Sequence, residues 1–252
     1  MKNKNLKLKL NQNKPKQYIQ GWVEFYKLKF KVTSNVLIPR PETELLVDNV
    51  LAYIADTQTH RPTDPLTILD LGTGSGNIAI SIAKNLASPL LGRLAHVRGA
   101  NVKIIAADIS SKALKVAKQN AKLHGVSDKI TFIKSNLLLS LKNTILIRPL
   151  NNCIFVTNLP YIPTQRIPYL DTSVKDFEPK IALDGGEDGF VLYRKLFKQI
   201  STLRWKPKLI IGEIDYTHGE LAVDEATKFF PEAQIEVKTD LTHKQRILII
   251  EM

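Results

Sequence analysis

LTILDLGTGSGNIAISIAKNL, residues 66–86, decides the fold. Its opening LTILDL (66–71) reads as a short apolar strand, and GNIAISIAKNL (76–86) reads as a helix. Between them Gly72, Gly74 and Gly76 fall at every second position. Without side chains the turn can enter conformations closed to other residues, and its backbone can approach a ligand closely.

The same rhythm continues on both sides. Candidate strands follow at VKIIAAD (102–108), KITFIK (129–134), CIFVTN (153–158), KLIIGE (208–213), QIEVKT (234–239) and RILIIEM (246–252). A helix over SKALKVAKQNAKLHG carries Ala113, Leu114, Ala117 and Ala121 on one face, with Ser110 as its cap and Gly125 as its end. Upstream, ETELLVDNVLAYIA (42–55) reads as a helix whose start Pro39 and Pro41 mark. Short apolar runs alternating with helical segments predict an α/β domain. Its seven-stranded, mostly parallel, Rossmann-like sheet has helices on both faces. Residues 85–101 and 140–152 lack periodicity and read as surface loops.

The glycine spacing narrows the ligand. In the dinucleotide fingerprint the third glycine falls one residue later, so NAD is disfavoured. The compact G-x-G-x-G turn, Gly72-Thr73-Gly74-Ser75-Gly76, is similar to that of class I methyltransferases, where it accommodates the methionine and ribose of S-adenosylmethionine. Asp108 ends the second strand, where a carboxylate can take both ribose hydroxyls. At the end of the third strand Asn136 can accept a hydrogen bond from an adenine amino group, with Leu137 packing on the ring.

The fourth strand delivers Asn158-Leu159-Pro160-Tyr161 to the same carboxyl edge, where open α/β sheets bind their ligands. A planar amino nitrogen conjugated to a carbonyl or a ring is a poor nucleophile, so an enzyme must hold its hydrogens and aim its lone pair. The Asn158 carboxamide oxygen and a backbone carbonyl beside the rigid Pro160 can accept those two N–H groups. Tyr161 offers a flat face for stacking. Asn158, Pro160 and Tyr161 are the candidate catalytic residues, and all four line the substrate. Asn158 also borders the cofactor.

Bulk properties bound the rest. With 252 residues and 44% hydrophobic content the chain can bury one sizeable core. A single cysteine, Cys153, rules out an intrachain disulfide or a cysteine-based metal cluster, and no metal is expected. No apolar run is long enough to span a bilayer, and there is no signal-peptide pattern, so a cytoplasmic protein without a membrane partner is expected. The net charge of +12 is uneven: residues 1–31 hold nine lysines against one acid, Glu24. We read residues 1–35 as a basic arm and connecting segment, and 36–252 as the catalytic domain.

PKQYIQGWVEFYKLKFKV (15–32), VLIPRPETELLVD (36–48), ILDLGTGSGNIAISIAK (68–84), Asn158–Tyr161 and FEPKIALDGGEDGFVLYRKL (177–196) together resemble one family. It is the protein glutamine N5-methyltransferases that modify the GGQ loop of class I peptide chain release factors. The resemblance covers about residues 15–252. It implies that the glycine turn and Asp108 bind S-adenosylmethionine, and that Asn158–Tyr161 embrace a glutamine amide of a release factor. It implies also that Arg40 and Glu42 line the same pocket. Leu159 replaces the first proline of the usual N-P-P-Y, and Asn136 replaces a usual aspartate. Members carry an N-terminal helical domain, here expected to be largely absent, with the lysine-rich arm in its place. Two other readings stay open: a ribosomal-protein glutamine methyltransferase, and an adenine amino-methyltransferase acting on rRNA or DNA, whose motif N-L-P-Y resembles. Outside the basic arm no nucleic-acid partner is expected.

Overall fold

The computed structural model describes residues 13–57, 66–87, 102–141 and 152–252. Residues 1–12 of the arm and most of both loop segments, 88–101 and 142–151, lie outside the described residues. In chain order the strands are β1 (Trp22–Phe25), β2 (Leu28–Lys31), β3 (Leu66–Leu71), β4 (Val102–Asp108), β5 (Ile130–Lys134) and β6 (Cys153–Thr157). They continue with β7 (Ile162–Pro163), β8 (Asp184–Gly186), β9 (Leu209–Glu213), β10 (Gln234–Thr239) and β11 (Gln245–Glu251).

Seven of them form one sheet in the order β10-β11-β9-β6-β3-β4-β5. β3, β4, β5, β6 and β9 run parallel, and β11, antiparallel to both its neighbours, joins β10 to one edge. All seven strands expected from the sequence are in it, each within a residue of its expected ends. Apolar runs without alternation suit strands covered on both faces. Ile68, Ile104, Ile154 and Ile211 pack on one side beneath helices Glu44–Thr57 and Asn77–Leu86. Leu69, Ile105, Phe155 and Ile210 pack on the other beneath helices Val191–Ser201 and Gly219–Phe229.

β3 lies between β6 and β4, so the chain leaves it in opposite directions on its two sides. This is the switch point at which the carboxyl ends of neighbouring strands open a crevice. The register sets what meets there. Leu71 is level with Ala107 on one side and Thr157 on the other, and Thr157 is level with Gly212. The residues that follow (Gly72, Asp108, Asn158 and Glu213) therefore emerge side by side.

Two smaller pairings frame the crevice. The β1–β2 hairpin buries Phe25 and Phe30 in the first core. Buried Asn120, on helix Ser111–Leu123, exchanges hydrogen bonds with the Lys31 backbone. It also donates to Ser75 O at 2.8 Å, tying the hairpin to the glycine turn. β7 pairs with β8, laying the backbone after Asn158 against Gly185 and Gly189. A Cβ on Gly189 would sit 2.3 Å from Tyr161 O, and one on Gly185 2.8 Å from Pro160 O, which explains the glycines of DGGEDG.

Candidate active site

A cavity opens at the switch point. Gly72, Thr73, Gly74 and Ser75 line it, with Asp108, Asn136, Leu137, Asn158, Leu159 and Pro160. All were expected from the sequence. Thr43, Ile109, Ser110, Ile181 and Leu192 join them without having been expected.

The turn is held from below. Gly72, Gly74 and Gly76 all take positive φ. Asp70 Oδ2 accepts the Thr73 hydroxyl at 2.6 Å and the Ala79 N–H at 3.2 Å, while Oδ1 is buried with no partner among the described residues. Burial raises the Asp70 carboxyl from 3.8 to about 7, against those hydrogen bonds, which lower it. Gly76 does not reach the cavity, because its open face abuts Ala117 and Ile80 where the two helices cross.

Asp108 closes the turn from the side. Its Oδ2 accepts the Gly74 N–H at 2.9 Å and its Oδ1 the Ser110 N–H at 2.7 Å. A carboxylate has about four lone-pair sites, so both oxygens keep acceptor capacity toward the cavity. Burial raises its pKa, opposed by the backbone donors. Ser110 caps the following helix, as the sequence suggested, by accepting the Ala113 N–H. Leu137 stands at positive φ and packs in the second core, whereas Asn136 is exposed at the rim.

On the other side Asn158 Nδ2 donates to Thr43 Oγ1 at 3.1 Å, and Thr43 Oγ1 donates to Glu213 Oε2 at 2.7 Å. Glu213 Oε1 accepts the Tyr161 hydroxyl at 3.0 Å. Burial raises the Glu213 pKa; its hydrogen bonds to Thr43 and Tyr161 oppose that. The Tyr161 phenol is pushed above its ordinary range by burial first and then by the Glu213 charge, so it stays a donor. Its ring is not among the cavity walls, because the hydroxyl ties it behind the turn. Buried Leu159 instead packs beneath Gly72, within 3.5 Å of where a Cβ would stand.

One further wall comes from two distant segments. Glu178 Oε2 accepts the Ile38 N–H at 3.1 Å, and Oε1 pairs with Arg40. Arg40, Pro179 and Ile181 thereby share the cavity. Glu42 does not line it: the turn Pro41–Thr43 exposes Glu42 and buries Thr43, which takes the inward place.

A nucleotide-like ligand carrying a cationic centre fits this chemistry. Asp108 lines the cavity as a buried carboxylate with no cation paired to it among the described residues, while Asp70 lies behind the turn and does not line it. The fold and this site define a class I methyltransferase. A family model described as a methyltransferase domain matches residues 62–147. Solved structures agree on the fold. One is a ribosomal protein L11 methylase from Lactobacillus delbrueckii subsp. bulgaricus (TM-score 0.53, 19% identity, 87% of this chain and 83% of that one). Another is the human METTL16 catalytic domain in complex with an RNA hairpin (TM-score 0.60, 16% identity, 90% and 76%).

Sequence relatives are more specific. The release factor glutamine methyltransferase of Bacillus cereus is 35% identical over 238 residues, 94% of this chain and 76% of that protein. That of Enterococcus faecalis is 35% identical over 237 residues, with shares of 94% and 76%. The chain belongs to the release factor glutamine methyltransferase family.

Proposed function

We propose that this protein transfers a methyl group from S-adenosylmethionine to N5 of the glutamine in the GGQ motif of class I peptide chain release factors, in the cytoplasm. Family membership supplies the substrate class. The observation that carries the chemistry is the orientation of Asn158. Its Nδ2 is committed to Thr43, so its Oδ1 is the end left to accept a substrate N–H.

Gly72, Thr73, Gly74 and Ser75 would hold the methionine and ribose, Asp108 the ribose hydroxyls, and Leu137 with Asn136 the adenine. S-adenosylmethionine supplies an electrophilic methyl on a sulfonium, and its product is S-adenosylhomocysteine. The chain's own task is then to place a nucleophile. Asn158 Oδ1 accepts one amide N–H, and the backbone carbonyl before Pro160 takes the second. Together they hold the amide plane so that the nitrogen presents its lone pair, a contribution of proximity and orientation. The nitrogen forms its bond to carbon and releases one proton to solvent after transfer, so no base is needed. Tyr161 serves by fixing the turn through Glu213. No metal takes part in this scheme. Among the described residues no helix is long and apolar enough to cross a membrane.

The test is to incubate the protein with labelled S-adenosylmethionine and a release factor, a ribosomal protein and rRNA together. Label is expected on the release factor, and its loss when the GGQ glutamine is replaced by alanine. Labelled rRNA or ribosomal protein alone would overturn the reading.

A further inference from the structure

The carboxylate of Glu213, unremarked in the sequence, holds Tyr161 of the N-L-P-Y turn directly and Asn158 through Thr43. It is fully buried at the end of β9, level with the end of β6. Both of its oxygens accept, Oε2 from Thr43 and Oε1 from Tyr161, so each hydroxyl points its hydrogen at the carboxyl group. Thr43 then has only lone pairs left for Asn158, and the Asn158 carboxamide must turn its NH₂ toward Thr43. The oxygen end faces the opposite way. A third contact reinforces the arrangement: the Tyr193 hydroxyl donates to Glu213 O at 2.6 Å and takes a hydrogen bond from the Leu159 backbone.

We infer that Glu213 and Thr43 are positioning residues that set which end of the Asn158 carboxamide meets the substrate. Resting on the reading of Asn158 as the amide acceptor, the inference adds the device that makes it an acceptor. A carboxamide left to itself can rotate by half a turn at little steric cost, since its oxygen and nitrogen are nearly the same size. Rotated, it would present two N–H groups to a substrate that also presents two. The relay removes that alternative by making every link unidirectional.

The test uses the intact protein and two readouts. The first is the Asn158 side-chain amide signal in nitrogen–proton correlation spectra, assigned by its disappearance in Asn158→Asp. It requires no substrate, so it stands even if the glutamine assignment fails. In the wild type this NH₂ is expected to exchange slowly with solvent, and in Thr43→Val, nearly isosteric but without a hydroxyl, to lose that protection. The second is single-turnover methylation with separate measurement of S-adenosylmethionine affinity. Thr43→Val is expected to slow transfer by about tenfold to a hundredfold, the scale of a misaligned reacting group, with cofactor affinity within about threefold. Thr43→Ser, which keeps the hydroxyl, should restore most of the rate. Glu213→Gln should be at least as slow as Thr43→Val, because its NH₂ can donate to Thr43 and reverse the relay. Unchanged protection of the Asn158 amide in Thr43→Val, an unchanged rate, or failure of Thr43→Ser to recover would each overturn the inference.

Discussion

Glu178 accepts the backbone N–H of Ile38 across 140 residues of chain while also pairing with Arg40, so one buried carboxylate joins the two most distinctive segments of the sequence. VLIPRPETE and FEPKIAL each form only one short turn, Pro41–Thr43 and Lys180–Ala182, too little to fix either beside the crevice. Their mutual attachment builds the wall that carries Arg40 and brings Thr43 within reach of Asn158. Glu178→Ala would strand a buried N–H and a partly buried guanidinium, a loss of about 1–3 kcal/mol. Urea denaturation should show a lower midpoint with an unchanged slope, together with weaker cofactor binding. Glu178→Gln, which keeps an acceptor for Ile38, should lose less. Equal losses would mean that the charge pair alone matters.

The two sides of the cavity should separate by mutation. Asn158→Ala removes the amide acceptor, and transfer should fall by about 10²-fold or more, as when an oriented polar group is deleted from an active site. S-adenosylmethionine affinity should stay within a few-fold. Asp108→Asn should do the opposite. Its NH₂ cannot accept, so either Gly74 or Ser110 loses its acceptor, the turn loosens and cofactor affinity drops first. Calorimetric titration of both variants decides: weak cofactor binding in Asn158→Ala would place that residue with the cofactor.

What the sequence disclosed and what it hid follow from the range of the forces. The sheet was legible because each strand is a local apolar run, and the glycine turn because only glycine suits three positive-φ positions in five residues. Asn158 was legible because it ends a strand beside that turn. Thr43 and Glu213 were not, since their meaning arises from a strand register and from a loop held 138 residues away by Glu178. The resemblance puts Glu42 at the pocket, and the geometry of the Pro41–Thr43 turn puts its neighbour Thr43 there instead. The β1–β2 hairpin carries no sequence signal, because its turn, Tyr26-Lys27, takes positive φ with neither residue being the Asn or Gly that usually marks such turns.

Gly74 and Gly76 look equivalent in sequence and should not behave alike. Alanine at either meets a left-handed backbone, costing about 1–2 kcal/mol. At Gly74 the nearest atom to the new Cβ is 3.9 Å away, so stability should fall by no more than that, while the methyl intrudes on the cofactor's cavity. At Gly76 the Cβ would lie 2.8 Å from Ile80 Cδ1 and 3.2 Å from Ala117 Cβ, adding about 1–3 kcal/mol of overpacking. Gly76→Ala should therefore melt lower than Gly74→Ala, and Gly74→Ala should bind S-adenosylmethionine more weakly per unit of stability lost. The reverse order in both would refute the assignment of Gly76 to helix packing.

Asp70 gives the ligand-free protein a predictable response to pH. Its carboxyl is held near 7 in the fold against an ordinary 3.8, so the folded state keeps a proton that the unfolded chain releases. This favours folding in full below about pH 4, and the benefit is lost as pH rises through about 7. Asp108 and Glu213, also raised by burial, push in the same direction. The melting temperature should accordingly decline between about pH 4 and pH 7, the window set by the Asp70 shift. Asp70→Asn keeps an oxygen to accept from Thr73 and Ala79 and has no proton to lose there, so its decline should be shallower. A saturating ligand with a cationic centre should flatten the wild-type profile too, because it stabilises the ionised carboxylates. Parallel profiles for the wild type and Asp70→Asn, measured by calorimetry in one buffer series, would show that Asp70 does not carry the effect.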